Sequence, residues 1–130
     1  MNRPLRLLLT NIRNAAMKKK IYAVGPYSLL NSAILTVLYE EGIISTFSTK
    51  IDLDKKWLYE IKLRPENHSF FKGMYVYSSN SIESDVTYEY LHSRLINDVF
   101  FGILSTSEGV MTFQTAVAKK IGGKVMLILR

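Results

Sequence analysis

The chain has 130 residues, 48% of them apolar, and a formal net charge of +6, which fits one domain or two small lobes, argues against disorder and points to a polyanionic partner. It has no cysteine, so a disulfide framework, a zinc finger and a thiol nucleophile are excluded. Its apolar runs fall far short of the roughly 20 residues that span a bilayer.

The charge is unevenly spread. Residues 1–39 hold no acid and six bases (Arg3, Arg6, Arg13, Lys18, Lys19, Lys20), and residues 99–130 hold Glu108 against Lys119, Lys120, Lys124 and Arg130. The middle is mildly acidic. The first segment, "MNRPLRLLLTNIRNAAMKKK", is free of acids and amphipathic, much like a mitochondrial presequence. It also has the pattern of a structural helix: Leu5, Leu8, Leu9, Ile12 and Ala16 recur at helical spacing, and Pro4 suits a first turn. A helix over Arg3–Met17 is the preferred reading.

"KKKIYAVGPYS" follows as an extended stretch ending in a turn at Gly25-Pro26. Ser28 is placed to cap a second helix over Tyr27–Glu41, which Gly42 would end. "IISTFSTKID" and "KWLYEIKLR" are rich in β-branched and aromatic residues, and the break at Asp52-Leu53-Asp54 reads as a hairpin. This α-β-α-β-β order suggests two helices on a small sheet.

Pro65–Ser69 is polar and without period, and is read as the boundary between lobes. Beyond it "FFKGMYVYSS" reads as a strand, "NSIESDV" as a polar loop and "TYEYLHSRLIN" as a short amphipathic helix. "DVFFGILSTS" reads as a buried strand, Glu108-Gly109 as a turn and "VM" as renewed extended structure. Thr112 would cap a helix over Phe113–Lys120, with Ile121-Gly122-Gly123 ending it before a last strand, "KVMLILR". The fold class is therefore α/β in two small lobes. Residues 1–66 form an N-terminal α-β-α-β-β lobe. Residues 67–130 form a mainly antiparallel β lobe with a short helix, carrying the Ser-Thr-Ser-x-Gly turn.

That turn, "STSEGVM", sets three hydroxyls at a strand tip. Catalysis would need a base near Ser105 or Ser107, and of the two histidines, His68 and His92, only His92 is a candidate, with nothing around it to mark it. No HExxH, P-loop or GxSxG pattern is present. A nucleic-acid binder uses hydroxyls differently, since each can meet a phosphate oxygen, a ribose 2′-OH or a base edge, and Gly109 allows close approach. A serine-threonine turn bonding only its own backbone is the equal alternative.

The residues bring a family into view. "STSEGVMT", followed by a short helix and "IGG", resembles the signature of the small-subunit ribosomal protein eight family, whose usual form is Ser-Thr-Ser-Lys-Gly-Val-Met-Thr with Gly-Gly before the last strand. "LTNIRN" (9–14), "PYSLL" (26–30) and "VLYEEGIISTF" (37–47) resemble the family's N-terminal blocks in order and without a gap. The resemblance implies a two-lobe α/β protein that binds the central domain of small-subunit rRNA, supports its assembly, sits beside other small-subunit proteins and catalyses nothing. By position it implies RNA contacts at Ser105, Thr106, Ser107, Gly109 and Val110, with Thr10, Arg13, Asn14, Pro26 and Ser28 from the first lobe. Lys18, Lys20, Lys119 and Lys120 are added on charge alone, as phosphate contacts. No cofactor, metal, membrane or small-molecule substrate is expected.

Three departures stand out. Leu29 replaces the family's lysine after the helix cap, Glu108 replaces the lysine of the hydroxyl turn, and "SSNSIESDV" replaces a basic Ser-Arg-Pro-Gly loop. Each lost cation removes one neutralised phosphate. This drift, a composition typical of AT-rich genes and a start at Met1 directly before the first helix favour a mitochondrial ribosome, with a plastid or bacterial cytoplasm as alternatives. The alternative functions are a translational repressor that binds an mRNA mimic of the rRNA site, and a membrane-surface protein using its basic amphipathic helix.

Overall fold

The computed structural model describes residues 3–72, 74–76, 85–97 and 101–129, which fall into two compact units divided after Lys72. The first contains α1 (Arg3–Met17), β1 (Tyr22–Pro26), α2 (Leu29–Glu40), β2 (Ile44–Ile51), β3 (Trp57–Leu63), a 3-10 turn (Pro65–Asn67) and α3 (His68–Lys72). Leu5, Leu8, Leu9, Ile12 and Ala16 of α1 are buried, as the spacing predicts. Burying each of the larger side chains is worth about 1.5–3 kcal/mol.

Ser28 caps α2, its Oγ accepting from Asn31 N at 3.0 Å. Gly42, at φ 74°, ends it, and the N–H groups of Gly42 and Ile43 return to the carbonyls of Tyr39 and Leu38. The sheet is antiparallel in the order β1-β3-β2. In the hairpin turn Asp52 Oδ1 accepts from Asp54 N and Lys56 N, both at 2.9 Å.

Two expectations fail in this unit. Gly25-Pro26 is not a turn but the end of β1, paired with Tyr59 and Leu58. β1 is an edge strand, where proline's missing N–H is tolerated. Phe70 and Phe71 belong to α3 rather than to a strand, because Phe71 is fully buried and α3 packs on α1. The segment read as an interlobe boundary is tied into the first unit. Asn67 Nδ2 donates to Ile43 O at 2.9 Å, and His68 Nε2 lies 2.9 Å from Lys20 O.

The second unit contains β4 (Met74–Val76), β5 (Asp85–Val86), α4 (Tyr88–Asn97), β6 (Phe101–Thr106), β7 (Gly109–Thr112), α5 (Phe113–Lys119) and β8 (Gly123–Leu129). Its sheet runs β4-β8-β6-β7 with β5 also on β8, and every pairing is antiparallel. Leu91, Leu104, Met111, Phe113, Ala116, Val125 and Ile128 form the core. Of the expected polar loop, Asp85-Val86 is a short strand, and 80–84 lie outside the described residues, as do 98–100 of the expected buried strand.

Thr112 caps α5 as expected, its Oγ1 accepting from Thr115 N at 3.1 Å. The stop is not the glycine pair, however. Lys120 takes the left-handed conformation at φ 59°, and Lys120 and Ile121 donate back to Val117 and Ala116. Gly122 and Gly123 serve close approach, since a Cβ on them would collide with the carbonyl oxygens of Val86 and Ser105.

One buried polar side chain joins three elements of the first unit. Asn31, fully buried on α2, donates from Nδ2 to Pro4 O of α1 (3.1 Å) and Pro26 O of β1 (2.8 Å). Asn31→Ala is expected to lower stability by about 1–3 kcal/mol in urea unfolding. Asn31→Asp should lower it further, because an ionised carboxylate cannot donate to two carbonyls.

Candidate nucleic-acid interface

In the first unit the α-helical period sorts α1 into a buried stripe and an exposed one. Thr10, Arg13 and Asn14 lie on the exposed stripe, at i, i+3 and i+4. The end of the helix then brings lysines into play. Lys19 adopts φ 56°, and Lys19 and Lys20 donate to Ala16 O (3.0 Å) and Ala15 O (2.9 Å). This reversal leads the chain into β1 and leaves a groove of about 250 Å³ between α1 and β1. Asn14, Lys18 and Lys20 line it together, with Asn11 and Tyr22. Asn11 is oriented by donating from Nδ2 to Val24 O at 2.9 Å. Both lysines sit at the negative end of α1, an arrangement that stabilises the helix and leaves their ammonium groups in solvent.

Asn11 and Tyr22 went unnoticed in the sequence. Asn11 lies within the "LTNIRN" block, and Tyr22 is exposed by strand alternation, but only the α1–β1 packing brings them together. Pro26 and Ser28 lie at the other end of β1. Their most accessible chemistry is already in use: the Pro26 carbonyl accepts from Asn31, and the Ser28 hydroxyl caps α2.

In the second unit β6 and β7 pair from Ile103–Thr112 to Thr106–Gly109, with Ser107 and Glu108 at the tip and Gly109 at φ 112°. Positive φ there requires glycine or incurs strain. Thr106 builds the turn. Its Oγ1 donates to Gly109 O (2.8 Å) and accepts from Glu108 N (3.1 Å). The hydroxyls of Ser105 and Ser107, in contrast, have no hydrogen-bond partner among the described residues. The turn therefore satisfies itself with one of its three hydroxyls and presents the other two.

Register sets Val110, Ser105 and Lys124 side by side across β7, β6 and β8. Lys124 was not singled out in the sequence, because only the pairing of β8 with β6 puts it beside Ser105. Glu108, which stands where the resemblance has a lysine, has a partner of its own. It reaches Lys119, Oε1 to Nζ at 3.2 Å, with both side chains about half exposed. One of the two cations assigned to this helix end is thus held by the acid, while Lys120, exposed, supplies the left-handed stop of α5.

His92 lies on α4 with its ring 6.1 Å from that of Tyr88, and His68 is engaged by Lys20 O. Among the described residues neither histidine bonds a serine of the turn, and no cluster of His, Cys, Asp and Glu has the makings of a metal site. Among the described residues no helix is long and apolar enough to cross a membrane.

Comparison with known proteins covers both units. Residues 4–129 match the family model described as ribosomal protein S8. The small ribosomal subunit protein uS8 of Ruthia magnifica is 39% identical over 127 residues, covering 97% of this chain and 95% of the relative. The uS8 proteins of Oenococcus oeni (33% over 128 residues, 97% and 96% covered) and Acholeplasma laidlawii (32% over 126 residues, 97% and 95% covered) are similar across the same extent. A match that begins in the first turn of α1 and ends on β8, taking in both the lysine-lined groove and the hydroxyl turn, means that the chain belongs to the ribosomal protein S8 family.

Proposed function

We propose that this protein binds the central domain of small-subunit rRNA through the hydroxyl turn of its second unit and the basic α1 surface of its first, and thereby supports assembly of the subunit. Membership of the family makes it a structural protein of the small ribosomal subunit and not an enzyme. The observation that carries the finer reading is the division of labour in the turn. Thr106 alone satisfies the backbone, and the Ser105 and Ser107 hydroxyls are left to donate to or accept from a partner. Small hydroxyls suit RNA, whose shallow groove offers 2′-OH groups, phosphates and base edges. Gly109 keeps the tip slim, and Val110 lies beside Ser105.

The α1 surface supplies the sequence-independent part. Thr10, Arg13 and Asn14 face outward, and Lys18 and Lys20 line the groove without an acid in residues 1–39 to compete. Cations of this kind add affinity by releasing counterions and make it salt-dependent. Neighbouring small-subunit proteins are the second class of partner. The relatives named above are bacterial, which favours a bacterial cytoplasm. The mitochondrial reading rests on composition and on the lost cations alone. No observation favours the repressor or membrane-surface readings over this one.

The direct test is sedimentation of an extract on a sucrose gradient with and without EDTA. The protein should travel with the small subunit and stay with it when the subunits part, whereas recovery at the top of the gradient would end the ribosomal placement. Binding to an rRNA central-domain fragment should separate charge from hydroxyl contacts. Arg13→Ala is expected to weaken binding and flatten the salt slope by about 1. Ser107→Ala should weaken binding by about 0.5–1.5 kcal/mol at unchanged slope and stability. Thr106→Val should instead destabilise the fold, by about 1 kcal/mol or more, through the two lost turn bonds. Glu108→Lys exchanges an acid for a base and also frees Lys119. It should tighten binding by roughly tenfold at ~0.1 M salt and steepen the salt slope, read by fluorescence anisotropy.

A further inference from the structure

The first unit has a second concavity, on the sheet face that β2 and β3 share. Strand alternation and register put Thr49, Ile51, Trp57 and Tyr59 on one face. Tyr59 is buried, and the ring of Tyr27 stacks on it at 5.2 Å and 21°. Beyond that stack the core ends. Tyr27, Thr49 and Trp57 line an open cleft of about 310 Å³, with Tyr27 49% and Trp57 56% exposed. That volume is at the small end of ligand clefts, about 300–1,000 Å³.

From this cleft we propose a site for one unpaired nucleobase, stacked against the exposed rings of Trp57 and Tyr27 with its edge toward the Thr49 hydroxyl. The proposal rests on the RNA-binding reading and adds a subsite to it. Two exposed aromatic rings offer π faces that any base can stack on. The Thr49 hydroxyl has no hydrogen-bond partner among the described residues. An aliphatic plug from a protein neighbour would bury that hydroxyl unpaired, whereas a base edge satisfies it. Charge agrees with a nucleotide. The adjoining hairpin carries Lys55 and Lys56, both exposed and without an ion-pair partner among the described residues, against Asp54 and an Asp52 whose Oδ1 accepts from two backbone N–H groups. Lys50, next to Thr49, is held by Glu60 at 3.0 Å and is not needed.

Trp57 is the single tryptophan of the chain, so its emission reads the cleft directly. The experiment titrates the full chain with single-stranded oligouridylate and oligoadenylate hexamers, and separately with an rRNA central-domain fragment. Anisotropy of labelled RNA is followed alongside Trp57 emission. Saturable quenching is expected with the hexamers and with the fragment. Trp57→Ala should weaken hexamer binding by about fivefold or more, with Trp57→Phe close to the parent. Both variants are exposed substitutions whose folding circular dichroism can verify. If the fragment binds while Trp57 emission is unchanged, or if folded Trp57→Ala binds hexamers as the parent does, the cleft is not a base site and the rRNA reading stands without it. If the folded parent binds no RNA by anisotropy, the rRNA reading fails and the cleft proposal with it. If Trp57 is shielded from acrylamide in the assembled subunit but unaffected by the fragment alone, the occupant is a protein and the proposal is overturned.

Discussion

The amide of Asn31 holds the first unit to one arrangement. A fully buried side chain of this kind is costly unless hydrogen-bonded. Here the Nδ2 group spans two carbonyls, Pro4 in the first turn of α1 and Pro26 at the end of β1, from its own place in the first turn of α2. Its Oδ1 has no partner in the structure described, so the residue contributes geometry more than net stability. Both contacts lie at the Pro26 end of β1, where they tie the first turn of α1 to the strand. They also fix the step from Pro26 to Ser28, and with it the placement of Tyr27 over Tyr59.

The second unit solves a comparable problem with one hydroxyl and one missing side chain. Thr106 closes the β6–β7 turn from within, so the tip needs no support from elsewhere. Gly123 lets β8 lie against Ser105 closely enough that a Cβ would meet its carbonyl oxygen. The strand pair carrying the hydroxyls is thus pinned from both sides, by β7 through the turn and by β8 through the close approach. A preorganised tip loses little freedom on binding, which favours affinity from few contacts.

Local signals were legible in the sequence wherever one segment decides its own shape. The apolar period of α1, the caps Ser28 and Thr112, the stop at Gly42 and the hairpin break at Asp52-Leu53-Asp54 all appear as read. What was hidden depends on partners far along the chain. Gly25-Pro26 looks like a turn until β1 is known to be an edge strand. Phe70-Phe71 looks like a strand until Phe71 is seen to bury itself in a helix that packs on α1. Glu108 looks like a bare repulsive charge, because Lys119 is 11 residues away and returns only through α5. Four of the residues expected to contact RNA also have structural duties or partners that spacing alone could not assign: Pro26, Thr106, Lys119 and Lys120.

The backbone adds one energetic argument about charge. Among the described residues the non-glycine positions with positive φ are Lys19, Lys55 and Lys120, at 56°, 60° and 59°. Left-handed backbone disfavours an L residue with a Cβ by about 1–2 kcal/mol, and glycine or asparagine is the usual occupant. The interaction of a lysine with the negative end of a helix returns about 0.3–1 kcal/mol, which falls short of that cost at Lys19 and Lys120. Lys55 lies in a hairpin and has no helix end to favour it. Helix and hairpin stability alone would therefore select glycine at all three positions. Each position instead carries an exposed cation, between the two lysines that line the α1 groove, in the β2–β3 hairpin and at the end of the helix whose Lys119 grips the hydroxyl turn. Under the proposed RNA-binding role, charge kept at the expense of backbone ease would be returned as counterion release at these positions.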